Sequence, residues 1–219
     1  MKDKGKIKIL IVDDHPVVRQ GLKELFQQEN DLIVCAETEE APEAVSLVKL
    51  HKPDLAIVDI SIKAGNGLEL IKDIKAVYPR VAILVLSMHD ESLYAERALR
   101  AGASAYLMKH EAPEKIVGAL RRIREGKKVL SEYMAEKMIH KATSREKDAG
   151  EPLLSCLSNR ELEVFQLIGE GSATREIAEK LHLSVKTVET YRAHIKEKLH
   201  LKNATELLQT AVCWVEKQE

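Results

Sequence analysis

Ile9-Leu10-Ile11-Val12-Asp13-Asp14 joins a short apolar run to two neighbouring carboxylates. The segment Leu55-Ala56-Ile57-Val58-Asp59 repeats the pattern with a single acid. Short runs rich in β-branched residues are typical of buried strands in a parallel sheet. Because ligands of open α/β sheets bind just beyond the carboxyl ends of such strands, the three acids predict a cation site at that edge.

Strand-like and helix-like segments alternate between residues 6 and 125. The predicted strands are Lys6–Asp13, Leu32–Ala36, Leu55–Asp59, Val81–Ser87 and Ala105–Lys109. The helical spacings that follow them are Val17–Gln28, Glu43–Lys52, Leu68–Tyr78, Ser92–Ala101 and Pro113–Glu125. Five βα units with right-handed crossovers predict an α/β fold with a doubly wound, five-stranded parallel sheet. A flavodoxin-like order, 2-1-3-4-5, would bring the acids of strands 1 and 3 together.

The composition suits a globular chain rather than a membrane protein. The 219 residues are 45% apolar, with a net charge of -1, which is enough for one large domain or two ordinary ones. No uncharged apolar run of about 18 residues occurs, so we expect neither a membrane span nor a signal peptide. Cys35, Cys156 and Cys213 lack the spacing of a zinc or disulfide framework, which favours a cytoplasmic location and small thiols in the core.

Two further polar residues are expected at the same edge of the sheet. Ser87 ends the fourth predicted strand, and Lys109 follows Ala105-Tyr106-Leu107-Met108. Three clustered carboxylates repel one another unless a cation lies among them, and their hard oxygens suit Mg²⁺. Asp59 is then a candidate nucleophile toward phosphorus, with Lys109 neutralising the phosphoryl oxygens and Ser87 donating a hydrogen bond.

These residues resemble the receiver domain of two-component response regulators over residues 6–125. The resemblance identifies Asp59 as the phosphoacceptor, Ser87 as the conserved hydroxyl, Lys109 as the conserved lysine and Tyr106 as the aromatic switch. It also implies Mg²⁺ bound by Asp13, Asp14, Asp59 and the backbone carbonyl of Ser61. In receivers generally, the positions that match Ser61 and His89 influence how long the acyl phosphate survives. Ile62-Lys63 replaces the Met-Pro pair of many relatives, so we expect a more mobile and more positive loop.

A helix-turn-helix pattern occupies the end of the chain. Leu130–Lys141 reads as a helix, and the polar stretch Ala142–Glu151 reads as a linker between two units. Ser158 and Glu161 have the spacing of a capping box. A short helix over 175–181, a turn at His182-Leu183 and a longer helix from Val185 to about Leu199 then follow, and in such motifs the second helix enters the major groove.

The predicted recognition helix is basic. Between Ser184 and Lys202 five Lys and Arg residues face two acids, an excess that favours phosphates. The segment resembles the LuxR-type helix-turn-helix domain from about 155 to 215, through motifs such as Leu183-Ser184-Val185-Lys186-Thr187-Val188. The resemblance implies base contacts from Lys186, Glu189, Thr190 and Ala193, and backbone contacts from Thr187, Arg192 and Lys196.

Together the two halves resemble the NarL/FixJ class of response regulators. The expected domains are a receiver (1–126), a linker helix and polar linker (127–153) and a DNA-binding domain (154–219). The expected function is transcription control by a regulator that is not an enzyme: a sensor histidine kinase phosphorylates Asp59, and a homodimer paired through Ala204–Val215 binds promoter DNA and acts on RNA polymerase.

Two other classes of protein share part of this pattern. A phosphatase of the haloacid-dehalogenase type also combines an α/β fold with Asp and Mg²⁺, but it carries an Asp-x-Asp motif after its first strand, whereas Asp13 and Asp14 are adjacent. A phosphate-independent DNA-binding regulator that switches by partner contact is the second alternative, and the set of five rim residues speaks against it.

Overall fold

The computed structural model describes residues 6–143, 154 and 156–216. The chain divides into two compact units, Met1–Ser144 and Arg145–Glu219. Among the described residues, no helix is both long and apolar enough to cross a membrane. Most of the polar linker predicted at Ala142–Glu151 lies outside the described residues.

The first unit is a parallel five-stranded sheet with the order β2-β1-β3-β4-β5, which confirms the doubly wound, flavodoxin-like prediction. The strands are β1 (Ile7–Val12), β2 (Leu32–Thr38), β3 (Leu55–Val58), β4 (Ala82–Ser87) and β5 (Ala105–Met108). The helices are α1 (Pro16–Gln27), α2 (Ala41–His51), α3 (Gly67–Val77), α4 (Glu91–Ala101), α5 (Pro113–Arg124) and α6 (Glu132–Thr143). Each sequence-based boundary of these strands and of α1 to α6 lies within two residues of the observed one.

The central strands are buried on both faces because helices cover each side of the sheet. Every residue of β3 is buried, as are the last four of β1. Side chains of α1 and α5, including Phe26 and Leu120, pack with Ile9 and Ile57 in one apolar cluster. Burial of this kind stabilises the fold by about 1.5–3 kcal/mol for each large aliphatic side chain.

The segment after α5 packs against β5 and α4 within the first unit. The amide of Val129 donates to the Ser104 carbonyl at 3.1 Å, and Val129 forms a parallel bridge with Ala105 beside β5. The Ser131 hydroxyl donates to Glu91 Oε1 at 2.8 Å, and Met134 is buried. The start of α6 therefore lies against α4.

The second unit consists of helices α7 (Asn159–Gly169), α8 (Thr174–Lys180), α9 (Val185–Lys198) and α10 (Ala204–Val215) among its described residues. The predicted capping box is confirmed, because the Ser158 hydroxyl accepts from the Glu161 amide while the Glu161 carboxylate accepts from the Ser158 amide. Ser184 caps α9 as expected. Val188 and Ile195 turn inward from α9, and Phe165 packs edge-on against Trp214.

One expectation about the core is wrong. Cys156 and Cys213 are exposed and Cys35 is only half-buried, so none of the three thiols is a core residue. The Cys35 thiol lies on the edge strand β2, where it donates to the Ile9 carbonyl at 3.4 Å.

Candidate functional site

The sheet register brings the predicted rim residues together. Val12 pairs with Val58, and Val58 pairs with Val85, so Asp13 and Asp59 leave neighbouring strands at the same level. Ser87 pairs with Met108 across β4 and β5, which places Lys109 one residue beyond the pair. The polar side chains therefore meet at one edge because parallel strands share their carboxyl ends.

The Lys109 ammonium bridges two buried carboxylates. Its Nζ atom lies 2.8 Å from Asp13 Oδ2 and 2.7 Å from Asp59 Oδ2, and the lysine side chain is only 6% exposed. Burial alone would lower the pKa of Lys109, but the two carboxylates outweigh burial and raise that pKa. Burial, followed by the charge of Asp59, raises the pKa of the Asp13 carboxyl. Lys109 therefore remains protonated beside the two carboxylates.

Asp59 is held by the protein at both of its carboxylate oxygens. Its Oδ1 atom accepts from the Ser87 hydroxyl and from the Ile60 amide, each at 2.6 Å, while Oδ2 faces Lys109. Asp59 is 2% exposed. The side chain is thus fixed in one orientation, with a hydroxyl donor and an ammonium beside it.

The backbone of Asp59 is in turn packed against Gly67. A Cβ atom on Gly67 would lie 2.0 Å from the Asp59 carbonyl oxygen. The Gly67 amide donates to the Ile60 carbonyl at 2.8 Å, and Asn66 caps the start of α3. In the sequence, Gly65-Asn66-Gly67 indicates only a turn before a helix, so the requirement for close approach was missed.

Asp14 and His15 complete the acidic group. His15 Nδ1 lies 2.6 Å from Asp14 Oδ1, and one ligand atom each from Asp13, Asp14, His15 and Asp59 lie within 4.8 Å of one another. Three carboxylates offer the hard oxygen ligands that suit a divalent cation. His15 was not among the predicted site residues, although its position directly after the acidic pair was a usable signal.

Ser61 and Tyr106 both contact His89. The Ser61 hydroxyl lies 2.9 Å from His89 Nε2, and the Tyr106 hydroxyl donates to the His89 carbonyl at 2.7 Å. Tyr106 is buried, with its ring turned inward. Burial, and then the charge of Asp59, raises the pKa of the Tyr106 hydroxyl, which therefore remains a neutral donor.

In the second unit, α9 presents the predicted DNA-contacting residues on its outer side. Lys186, Glu189, Thr190 and Ala193 are exposed, whereas Thr187, Arg192 and Lys196 are partly buried. The Thr190 hydroxyl donates to the Lys186 carbonyl at 3.0 Å, so its lone pairs face outward to accept.

The end of α9 is joined to α7 by a charged contact. Lys198 Nζ lies 2.6 Å from Glu161 Oε2, and Glu161 is 3% exposed. Burial alone would raise the pKa of Glu161, but Lys198 and the Ser158 amide lower it. The contact ties the end of the recognition helix to the capping box of α7.

Two protein families match the chain. The response regulator receiver domain matches residues 9–121, and the luxR family of bacterial regulatory proteins matches residues 155–211. With the fold, these matches define a receiver domain followed by a DNA-binding domain.

Relatives extend this similarity to nearly the whole chain. The oxygen regulatory protein NreC of Staphylococcus carnosus is 35% identical over 210 residues, which cover 94% of this chain and 97% of NreC. RcsB from Salmonella enterica serovar Typhimurium has been solved bound to a promoter in the presence of the phosphomimetic BeF3⁻. Its sequence is 28% identical to this chain, and the two structures superpose with a TM-score of 0.64 over 94% of this chain and 98% of the RcsB chain. A LuxR-family regulator from Aurantimonas is 31% identical with a TM-score of 0.59, over 64% of this chain and 100% of its own. The chain belongs to the two-component response regulators with a LuxR-type DNA-binding domain.

Proposed function

We propose that Asp59 is the phosphoacceptor of this response regulator and that a sensor histidine kinase is the donor. The observation that carries the proposal is the fixed Asp59 carboxylate, with Ser87 at one oxygen and Lys109 at the other. An Asp59 oxygen forms the new P–O bond as the P–N bond of the phosphohistidine breaks, and the electron pair remains on the imidazole. Lys109 is placed to neutralise the transferred oxygens and Ser87 to donate to one of them.

Mg²⁺ fits the acidic group as the resident cation. Asp13, Asp14, Asp59 and the backbone carbonyl of Ser61 would hold it. The bound ion supplies positive charge that offsets repulsion between the acids and the incoming phosphoryl group. The protein's own part is to keep Asp59 oriented and to present Lys109 on the other side of the carboxylate.

The switch follows from the same contacts. If Ser87 donates to a phosphoryl oxygen, it must release Asp59 Oδ1, to which it donates at 2.6 Å in this structure. That movement displaces the start of the β4–α4 loop, in which the His89 carbonyl accepts from Tyr106. This hydrogen bond couples the position of the loop to the rotamer of the Tyr106 ring, so a change in the loop is transmitted to the ring.

The output is sequence-specific DNA binding by α9. Lys186, Glu189, Thr190 and Ala193 are placed to approach base edges, because they are exposed on one side of the helix. Thr187, Arg192 and Lys196 suit the phosphate backbone. The bound RcsB structure supports promoter DNA as the partner, and a second RcsB structure contains dimers on DNA.

A homodimer paired through α10 would place two recognition helices about 34 Å apart on a palindromic site. Recruitment of RNA polymerase, activity in the cytoplasm and the absence of an independent enzymatic activity belong to the same proposal. Its domain boundaries are residues 1–126 and 154–219, joined by residues 127–153.

The test of the acceptor is phosphorylation by acetyl phosphate with Mg²⁺. We expect Asp59→Asn to abolish incorporation while the fold is retained, and Asp73→Asn, on the exposed face of α3, to leave incorporation unchanged. Labelling retained in Asp59→Asn would refute the acceptor. Specific promoter binding that ignores both acetyl phosphate and Asp59→Asn would favour the phosphate-independent alternative. Sustained turnover of p-nitrophenyl phosphate would favour a phosphatase instead.

The test of the DNA contacts uses two matched pairs of charge removals. Lys186→Ala with Arg192→Ala should weaken promoter binding and lower the slope of log affinity against log salt by about 1 for each phosphate that α9 no longer neutralises. Lys49→Ala with Arg80→Ala removes the same charge from exposed positions of the first unit, and we expect little change. Equal salt slopes in both pairs would reject the placement of α9 on DNA.

A further inference from the structure

The loop between β3 and α3 is joined to the loop between β2 and α2 by backbone pairing. The Lys63 amide donates to the Glu39 carbonyl at 2.9 Å, and the Ala41 amide donates to the Lys63 carbonyl at 3.2 Å. Glu40 and Lys63 form an isolated parallel bridge. Lys63 is two residues beyond Ser61, whose carbonyl belongs to the proposed metal site, so the bridge restrains that part of the loop.

A charged network reinforces the bridge. Lys63 Nζ lies 2.7 Å from Glu39 Oε1, and Arg19 Nη1 lies 3.8 Å from Glu39 Oε2. The same Arg19 atom donates to the Asp13 carbonyl at 2.6 Å. The end of β1 is therefore connected to the β3–α3 loop through a series of contacts: Asp13, Arg19, Glu39 and Lys63. Glu39, the central carboxylate of this series, is not a member of the acidic group.

This arrangement changes the meaning of the Ile62-Lys63 replacement. The sequence predicted a more mobile and more positive loop at this position. Ile62 is instead 4% exposed, and the Lys63 charge is paired with Glu39. The ammonium and the backbone of Lys63 both contact the β2–α2 loop. Lys63 therefore restrains the β3–α3 loop at the position where many relatives have proline.

We propose that Glu39 is a positioning residue for the metal site, because it holds the Asp13 and Ser61 sides of that site at a fixed separation through Arg19 and Lys63. The inference rests on the proposed function. Ligands from two loops bind a cation most tightly when both loops are already in place, and removal of such supporting contacts costs about 10–100-fold in metal affinity. We expect an effect near the lower limit because the Glu39 and Lys63 side chains are partly exposed, at 34% and 41%.

Strand β2, which directly precedes Glu39, offers a matched control. Glu37 Oε2 lies 3.0 Å from Lys23 Nζ, and the Glu37 side chain is 36% exposed, close to the value for Glu39. The Glu37 pair joins β2 to α1 and includes no residue of the acidic group. An ordinary surface ion pair at either position would affect stability slightly and metal binding not at all.

The experiment is a Mg²⁺ titration of the full-length protein followed by amide chemical shifts, together with phosphorylation by acetyl phosphate across Mg²⁺ concentrations. Glu39→Gln and Lys63→Met should each weaken Mg²⁺ binding about tenfold, and the double variant should be no worse than either. Lys63→Arg keeps the charge and should retain wild-type affinity, as should Glu37→Gln. The maximal phosphorylation rate of Glu39→Gln should return at saturating Mg²⁺, because the acceptor itself is intact.

Three results would overturn the proposal, and they differ in scope. Wild-type Mg²⁺ affinity in Glu39→Gln, in a protein that is phosphorylated normally, would reduce Glu39 to a surface ion pair and leave the proposed function standing. A wild-type protein that neither binds Mg²⁺ nor accepts phosphate would overturn both. An equally weakened Mg²⁺ affinity in Glu37→Gln would show that the effect is general to ion pairs near the end of β2 and would also refute the role of Glu39.

Discussion

Replacement of Gly67 by alanine tests whether backbone packing positions Asp59. A Cβ atom at this site would lie 2.0 Å from the Asp59 carbonyl oxygen and 2.7 Å from the Ile60 Cα atom. Both neighbours are backbone atoms at the end of a buried strand, so no flexible side chain can move aside. The start of α3 must shift away from Asp59 to accommodate the methyl group.

The expected cost follows from this overlap. Overpacking of a core usually costs about 1–3 kcal/mol, and the backbone contact places Gly67→Ala near the upper value. At about 2–4 °C for each kcal/mol in a chain of this size, the first unit should unfold roughly 6–12 °C earlier. Gly118→Ala is the matched control, since its Cβ atom would meet nothing within 4 Å inside α5. That change should stabilise the unit by about 0.5–1 kcal/mol.

The assay combines thermal unfolding with phosphorylation by acetyl phosphate. Trp214 is the sole tryptophan and lies in the second unit, so its fluorescence should report the same unfolding in both glycine variants. Circular dichroism reports both units, so a shift seen by circular dichroism and not by fluorescence belongs to the first unit. Gly67→Ala should also slow phosphorylation at a temperature where it remains folded. Unfolding temperatures that agree between Gly67→Ala and Gly118→Ala would refute the packing argument.

Three further predictions use other contacts. The pKa of Glu161 is lowered in the folded protein, so its contact with Lys198 stabilises the second unit at pH values above the ordinary carboxyl pKa of 4.5, and this stabilisation is lost as the pH falls through the folded-state pKa. Lys198→Met should therefore reduce the difference in the free energy of unfolding between pH 7 and pH 4, measured by denaturant unfolding. An unchanged difference would contradict this prediction. Tyr106→Phe removes the hydroxyl that donates to the His89 carbonyl and should cost about 1 kcal/mol of stability. The variant should still be phosphorylated, but phosphorylation should change its affinity for DNA less than in the wild type. An equal change in DNA affinity would reject the role of Tyr106 as the switch. Met134→Ala should lower the free energy of unfolding by about 2–5 kcal/mol, because Met134 is 2% exposed. Ile139→Ala, at a position of the same helix that is 63% exposed, should change it by no more than about 0.5 kcal/mol in the same denaturant unfolding. Similar costs for the two variants would show that α6 does not pack as observed.

The features that sequence predicted well depend on local order. Apolar runs that end in Asp13, Asp59 and Ser87 locate strand ends, and parallel pairing then aligns those ends without further information. The capping box of Ser158 and Glu161 is equally local, since its partners are three residues apart. Periodicity alone does not determine the strand order, and the flavodoxin-like order was predicted because it brings the acids of strands 1 and 3 together.

The contacts that sequence missed join residues that no local pattern relates. Glu39 and Lys63 are 24 positions apart, and neither periodicity nor spacing pairs one charge of a 32% charged chain with another. The exposure of Cys156 and Cys213 has the same origin, since a small isolated residue carries little information about whether tertiary packing covers it. Gly67 was visible as a glycine, but the reason for it is a tertiary contact with Asp59.

The hydrogen bonds of Ser87 explain why phosphorylation can be coupled to a distant surface. The Ser87 hydroxyl donates to Asp59 Oδ1, and the Ser87 oxygen accepts from the His89 amide at 3.4 Å. The carbonyl of the same His89 accepts from the Tyr106 hydroxyl. A hydroxyl has one proton, so donation to a phosphoryl group and to the Asp59 carboxylate are mutually exclusive. On the proposed mechanism, that choice moves the loop preceding α4, and α4 is where Glu91 accepts from Ser131 at the start of α6. The path from the acceptor to the segment that precedes the DNA-binding domain thus consists of discrete hydrogen bonds, each of which a single substitution can remove.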